Sequence, residues 1–206
     1  HPWAEQVKYA RTGGEIMAMA IRIARAATGR EKIAFCGYHG WHDWYLSVNL
    51  NKKNSLDDHL LPGLNPLGVP KGLKGTLLPF HYNNLTELES IIDKNQDLAA
   101  IVMEPVRNDG PNSGFLQGVR KLATKIDAVL IFDEITSGWR LATSGAHQVY
   151  NVSPDIATFA KTISNGFPMA AVIGKKSVMD YAQRTFISSA YFTDRLGPAT
   201  SIATLK

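Results

Sequence analysis

Leu98-Ala99-Ala100-Ile101-Val102-Met103 is apolar at every position and is closed by Glu104-Pro105. A strand with one wet face alternates apolar and polar residues. One covered on both faces reads instead as an unbroken apolar run, the mark of a parallel sheet packed between helices. Val129-Leu130-Ile131-Phe132 repeats the pattern and stops at Asp133-Glu134. Working outward, shorter runs at Val7–Ala10, Ile33–Cys36, Thr76–Phe80, Asp155–Phe159 and Ala170–Gly174 read as further strands. Between them, Ile16, Met19, Ala20, Ile23 and Ala27 predict a helix over Glu15–Thr28, with Gly29 as its stop. Further helices are expected over Leu85–Lys94, Phe115–Ile126 and Lys175–Arg184, and from Pro198 onward. Residues 46–75, rich in Asn, Gly, Pro and Leu, read as a long irregular excursion of the kind that serves function or subunit contact. The fold class is α/β: a mostly parallel sheet flanked by helices.

The 206 residues suffice for one domain with a substantial core. With 45% apolar and 19% charged residues, the balance is that of an ordinary globular protein. The net charge of +4 is dispersed along the chain. Nucleic-acid binding needs a concentrated basic stripe and is not expected. No apolar run approaches the length of a membrane span, so no membrane partner is expected either. Cys36 is the only cysteine, which excludes an intrachain disulfide and points to a reducing, cytoplasmic setting. The chain opens on His1-Pro2-Trp3 and ends at Thr204-Leu205-Lys206 inside an expected helix, so it reads as a piece of a longer enzyme.

In a parallel sheet, ligands bind beyond the carboxyl ends of the strands. Gly13-Gly14, Tyr38-His39, Glu104, Asp133-Glu134 and Lys161 all follow such ends. Lys161 is one of 22 Lys and Arg residues, most of which are expected to be solvated. An amine set directly after an apolar strand is expected to be partly desolvated, which frees it to attack a carbonyl. Asp133 ends a buried strand and needs a cationic partner. A protonated pyridine nitrogen is one such partner and Arg140 is the other. Thr12-Gly13-Gly14-Glu15 opens a helix, so its free amides and the helix dipole suit an anion. Tyr38, between Gly37 and Gly40, can lie flat on a heteroaromatic ring. His39, His42 and Asp43 offer an alternative reading as metal ligands.

In their order and spacing these segments make the chain resemble the class III (fold type I) pyridoxal-phosphate aminotransferases, in the branch that includes glutamate-1-semialdehyde 2,1-aminomutase. The likeness runs through Thr12-Gly13-Gly14-Glu15, Ile21 to Arg30, Gly37-Tyr38-His39-Gly40-Trp41, Glu104-Pro105-Val106, Phe132-Asp133-Glu134, Gly138-Trp139-Arg140, Lys161 and Thr193 to Pro198. The resemblance implies the cofactor pyridoxal 5′-phosphate, held as a Schiff base by the catalytic Lys161. It implies that Asp133 pairs with the ring nitrogen, that Ile135 and Tyr38 cover the two ring faces, and that Gly13 and Gly14 give amides to the phosphate. It also implies that Thr193 reaches the phosphate of a partner subunit, so that the protein is a homodimer. The substrates would be a small amino donor and an oxo acceptor.

The chain departs from the family's pattern at several points. Members usually carry Ser or Thr where Gly14 stands and Ala where Ile16 stands, and the segment Asp194-Arg195-Leu196-Gly197-Pro198 differs from the usual small-residue one. Residues 1–206 correspond to the large domain, without the family's N-terminal segment and C-terminal small domain, and are expected to bind cofactor weakly by themselves. Three other readings stay open: aminomutase chemistry within one small molecule, a catalytically silent large domain, and a metal-dependent hydrolase built on His39, His42 and Asp43.

Overall fold

The computed structural model describes residues 1–206. In chain order the first half forms β1 (Gln6–Ala10), α1 (Gly13–Thr28), β2 (Lys32–Cys36), α2 (Asp43–Leu46), β3 (Leu77–Pro79), α3 (Leu85–Lys94) and β4 (Leu98–Met103). The second half forms α4 (Phe115–Lys125), β5 (Val129–Asp133), α5 (Ala146–Val149), β6 (Ile156–Phe159), β7 (Ala170–Gly174), α6 (Lys176–Met179) and α7 (Leu196–Leu205). The strands join one seven-stranded sheet in the order β1-β7-β6-β5-β4-β2-β3.

Pairing from β3 through β6 is parallel, and β7 runs antiparallel to both β6 and β1. Two reversals cancel, so β1 points the same way as β6. The carboxyl ends of β1, β2, β4, β5 and β6 therefore lie along one edge. The expected mostly parallel sheet is present, with a single reversed strand.

Each central strand divides its apolar residues between two layers. Ile33, Phe35, Val102 and Ile131 pack with Ile16, Ile23 and the rest of α1. Ala34, Met103, Leu130 and Phe132 pack with Leu88 of α3 and Leu116 and Val119 of α4. This two-sided burial is why the strands are apolar without alternation. α1 is well capped. Thr12 Oγ1 accepts from Glu15 N at 3.2 Å, and Glu15 Oε2 accepts from Arg11 N at 2.9 Å. Gly29 closes the helix at φ 67°.

Some boundaries differ from those expected. β3 is trimmed to Leu77–Pro79, because it is an edge strand and Pro79 has no N–H to extend its ladder. The helix expected over Lys175–Arg184 is one α-turn followed by a 3-10 turn at Asp180–Gln183. The excursion is irregular as expected, holding only short 3-10 turns at Ser47–Leu50 and Lys71–Leu73.

The second acid after β5 has a structural role. Glu134 is fully buried and accepts from the backbone of Ala146 and His147, from Ser137 Oγ and from His147 Nδ1. Trp3 Nε1 donates to His147 Nε2 at 2.9 Å, which ties the amino-terminal residues to the same network. Burial alone would raise the Glu134 carboxyl, but the bonds from His147, Ser137 and the amides outweigh it and hold it below the usual range.

Candidate active site

A cavity of about 350 Å³ opens at the carboxyl edge of the sheet, and Gly13, Gly14, Tyr38, Asp133, Ile135 and Lys161 all line it. They arrive from four strand ends, those of β1, β2, β5 and β6, so residues about 150 positions apart meet there because the sheet gathers its carboxyl termini.

Lys161 follows Phe159 and Ala160 at the end of β6 and sits at φ 50°, in the left-handed region. Its Nζ donates to Thr136 Oγ1 at 2.9 Å. The partial desolvation expected for this lysine is not found. The residue is exposed, because the turn after β6 aims it into the open cavity rather than between sheet and helix. A long side chain held at an unfavourable φ is a strained arrangement that the surrounding fold must enforce.

Asp133 is 3% exposed. Its Oδ1 accepts from Ile135 N at 3.0 Å, and its Oδ2 lies 2.8 Å from His39 Nδ1. His39 Nε2 lies 3.0 Å from the Cys36 carbonyl. A carbonyl only accepts, so Nε2 is the donor to Cys36, and the short Nδ1–Oδ2 contact ties the imidazole to the carboxyl of Asp133. Asp133 is thereby fixed from behind by His39 while its carboxylate stays on the cavity wall. The alternative pairing with Arg140 is overturned. Arg140 is exposed, and its Nε donates to Thr162 Oγ1 at 3.2 Å. The metal-ligand reading fails at the same residue. His39 is already bound to Asp133 and the Cys36 carbonyl, and no three His, Cys, Asp or Glu residues converge on a common point.

Tyr38 is 37% exposed, and its amide donates to Glu104 Oε2 at 3.0 Å. Burial raises the Glu104 carboxyl above the ordinary range. Gly37 is required there: its φ is 106°, and a Cβ on it would come within 2.6 Å of Glu104 Oε2. Gly13 packs under Ile135, whose Cδ1 would lie 3.1 Å from a Cβ at position 13. Gly13 and Gly14 thus carry no side chain of their own over the first two amides of α1. Thr193 stands apart. It is exposed, does not line this cavity, and its hydroxyl lies 3.5 Å from the Ala190 carbonyl.

Several wall residues escaped the sequence reading. Thr136, the partner of Lys161, sits three places after Asp133 in an irregular turn with no periodicity to mark it. Phe167, Pro168 and Met169 come from the loop before the reversed β7. Arg11 also lines the cavity, with its guanidinium 2.7 Å from Asp194 and over the Tyr191 ring. The need of a buried Asp133 for a partner was legible, but its pairing with His39 was not.

The class-III aminotransferase family model matches residues 1–206. The chain belongs to the class III aminotransferases. It is 36% identical over 213 residues to a 3-aminobutyryl-CoA aminotransferase of Cloacimonas acidaminovorans, covering 100% of this chain and 47% of that one. It is 37% identical over 214 residues to a glutamate-1-semialdehyde 2,1-aminomutase of Nitrosopumilus maritimus, covering 100% of this chain and 49% of that one. Among solved structures it is similar to a transaminase with PLP bound, with a TM-score of 0.84, 28% identity, and coverage of 98% of this chain and 49% of that one. As a class III aminotransferase chain it thus spans about half the length of the relatives it matches. The expected fold type I architecture, a mostly parallel sheet flanked by helices, agrees with this likeness.

Proposed function

We propose that these residues form the cofactor-binding large domain of a pyridoxal 5′-phosphate-dependent aminotransferase, with Lys161 as the amine that holds the cofactor. The observation that carries this reading is the convergence of Lys161, Asp133, Tyr38, Ile135 and the bare Gly13-Gly14 turn on one cavity. The residues fit the group. A buried carboxylate held by His39 suits a cationic ring nitrogen, an aromatic and an aliphatic side chain suit a flat ring, and glycine amides at a helix start suit a phosphate. When bound, pyridoxal phosphate supplies an electron sink that stabilises negative charge on the substrate's α-carbon.

The chain's own residues do the rest. Asp133 would hold the ring nitrogen of the bound group, and His39 prevents its carboxyl from turning away. Thr136 Oγ1 accepts from Lys161 Nζ and so holds the amine inside the cavity. Once free, that amine is the base placed to take a proton from the substrate and return it. Thr193, exposed and outside its own cavity, supports assembly as a homodimer in which it serves the partner's phosphate. The substrates are an amino donor and an oxo acceptor. The aminomutase reading, an amino transfer within one molecule, uses the same residues and is favoured by the likeness to glutamate-1-semialdehyde aminomutases. No helix is long and apolar enough to cross a membrane, and with its lone thiol the protein is assigned to the cytoplasm.

Borohydride trapping tests the assignment and registers even weak occupancy. With excess pyridoxal phosphate, a visible absorbance band should appear, and reduction should fix the added mass on the peptide containing Lys161. Label at another lysine, or at none, would overturn the reading in favour of a silent large domain.

A further inference from the structure

The space that a side chain on Gly14 would take is filled by a ring from elsewhere in the chain. A Cβ on Gly14 would lie 2.6 Å from Cε1 and 2.7 Å from Nδ1 of His42. The approach is set by the backbone. Gly40, at φ 95°, lies so close that a Cβ there would come within 3.1 Å of Gly14 Cα. The turn between β2 and α2 is thus laid directly on the first turn of α1, and His42, the residue before α2, closes the remaining gap. Its Nδ1 is buried with no hydrogen-bond partner. The half-buried residue borders an open groove beside Phe186 and Ile187, and the Trp41 ring stacks on its imidazole at 4.8 Å. The fold therefore accepts an unsatisfied polar atom in order to fill this space.

We propose that His42 is a positioning residue of the phosphate cradle, its ring taking the volume of the side chain that Gly14 lacks and so fixing the direction of the Gly13-Gly14 amides. The proposal rests on the reading of the cavity as a pyridoxal-phosphate site. It makes positions 14 and 42 mutually exclusive, because the space holds a side chain on Gly14 or the imidazole of His42, but not both.

Titrating the full chain with pyridoxal phosphate and with pyridoxal isolates the part of the affinity that comes from the phosphate. His42→Ala should lower the affinity for pyridoxal phosphate by about tenfold and leave pyridoxal binding unchanged. Gly14→Ser should do the same by forcing the ring aside, and the Gly14→Ser, His42→Ala double variant should recover most of the loss. His42→Leu, which keeps most of the volume without the polar atoms, should retain the wild-type ratio, and each variant's fold is checked by its thermal melting. A double variant no better than Gly14→Ser, an unchanged ratio in a folded His42→Ala protein, or a lost ratio in a folded His42→Leu protein would overturn the proposal. Failure of the cofactor reading looks different, since the wild-type chain would then bind neither ligand and trap nothing at Lys161.

Discussion

Lys161 sets a backbone preference against the chemistry proposed for its side chain. Its φ of 50° belongs to glycine, yet glycine carries no amine. Lys161→Gly should therefore be more stable than Lys161→Ala by about 1 kcal/mol, since only glycine relieves the left-handed backbone. Urea unfolding of the two variants measures this, and equal midpoints would show that the turn bears no strain. At this scale the sequence was partly legible. Lys161, Asp133, Tyr38, Ile135 and both glycines could be picked out because each follows an apolar strand or matches a family position. His39 was legible as a residue but not as the partner of Asp133, because a pairing across 94 positions exists only in three dimensions. Thr136 left no signal at all, being a single hydroxyl in an aperiodic turn.

Among the elements, the excursion over 46–75 is tied to the sheet edge through His59. His59 is buried, its Nδ1 accepts from Gly37 N at 3.3 Å, and its carbonyl accepts from Arg107. Burial, together with the nearby His81 and His39, lowers its pKa from 6.5 to about 4. The folded protein thus keeps His59 neutral where the unfolded chain protonates it. The stabilisation is complete above pH 6.5 and is lost as pH falls towards 4, by up to about 3 kcal/mol. Urea midpoints measured across that window should decline, and His59→Gln should flatten the decline. An equally steep fall in the variant would place the titration elsewhere. The excursion was recognised as irregular from its composition, but its attachment at His59 was not, because a lone histidine in a loop gives no hint of burial. The reversed β7 was equally hidden. Ala170–Gly174 is as apolar as its parallel neighbours, and direction is set by the short connection from β6 rather than by residue type.

For the whole molecule, the decisive property is that one sheet edge collects the carboxyl ends of β1 to β6, so the cavity wall depends on the integrity of the sheet. That much follows from unbroken apolar runs each ending in a polar residue, and it is why the fold was readable from sequence. Cys36 gives a way to watch this edge. Its carbonyl holds His39, which holds Asp133, and its own thiol is 3% exposed and pushed up to about 12 by burial, with Glu104 adding to the effect. A protonated, enclosed thiol does not react with disulfide reagents, so labelling has to wait until this corner opens. The lone cysteine is thus a built-in clock for the site. Native labelling should run orders of magnitude slower than in denaturant, and His39→Ala should quicken it, because the shared anchor is gone. Labelling at the same rate in His39→Ala and wild type would mean that the corner opens independently of the Asp133 pair.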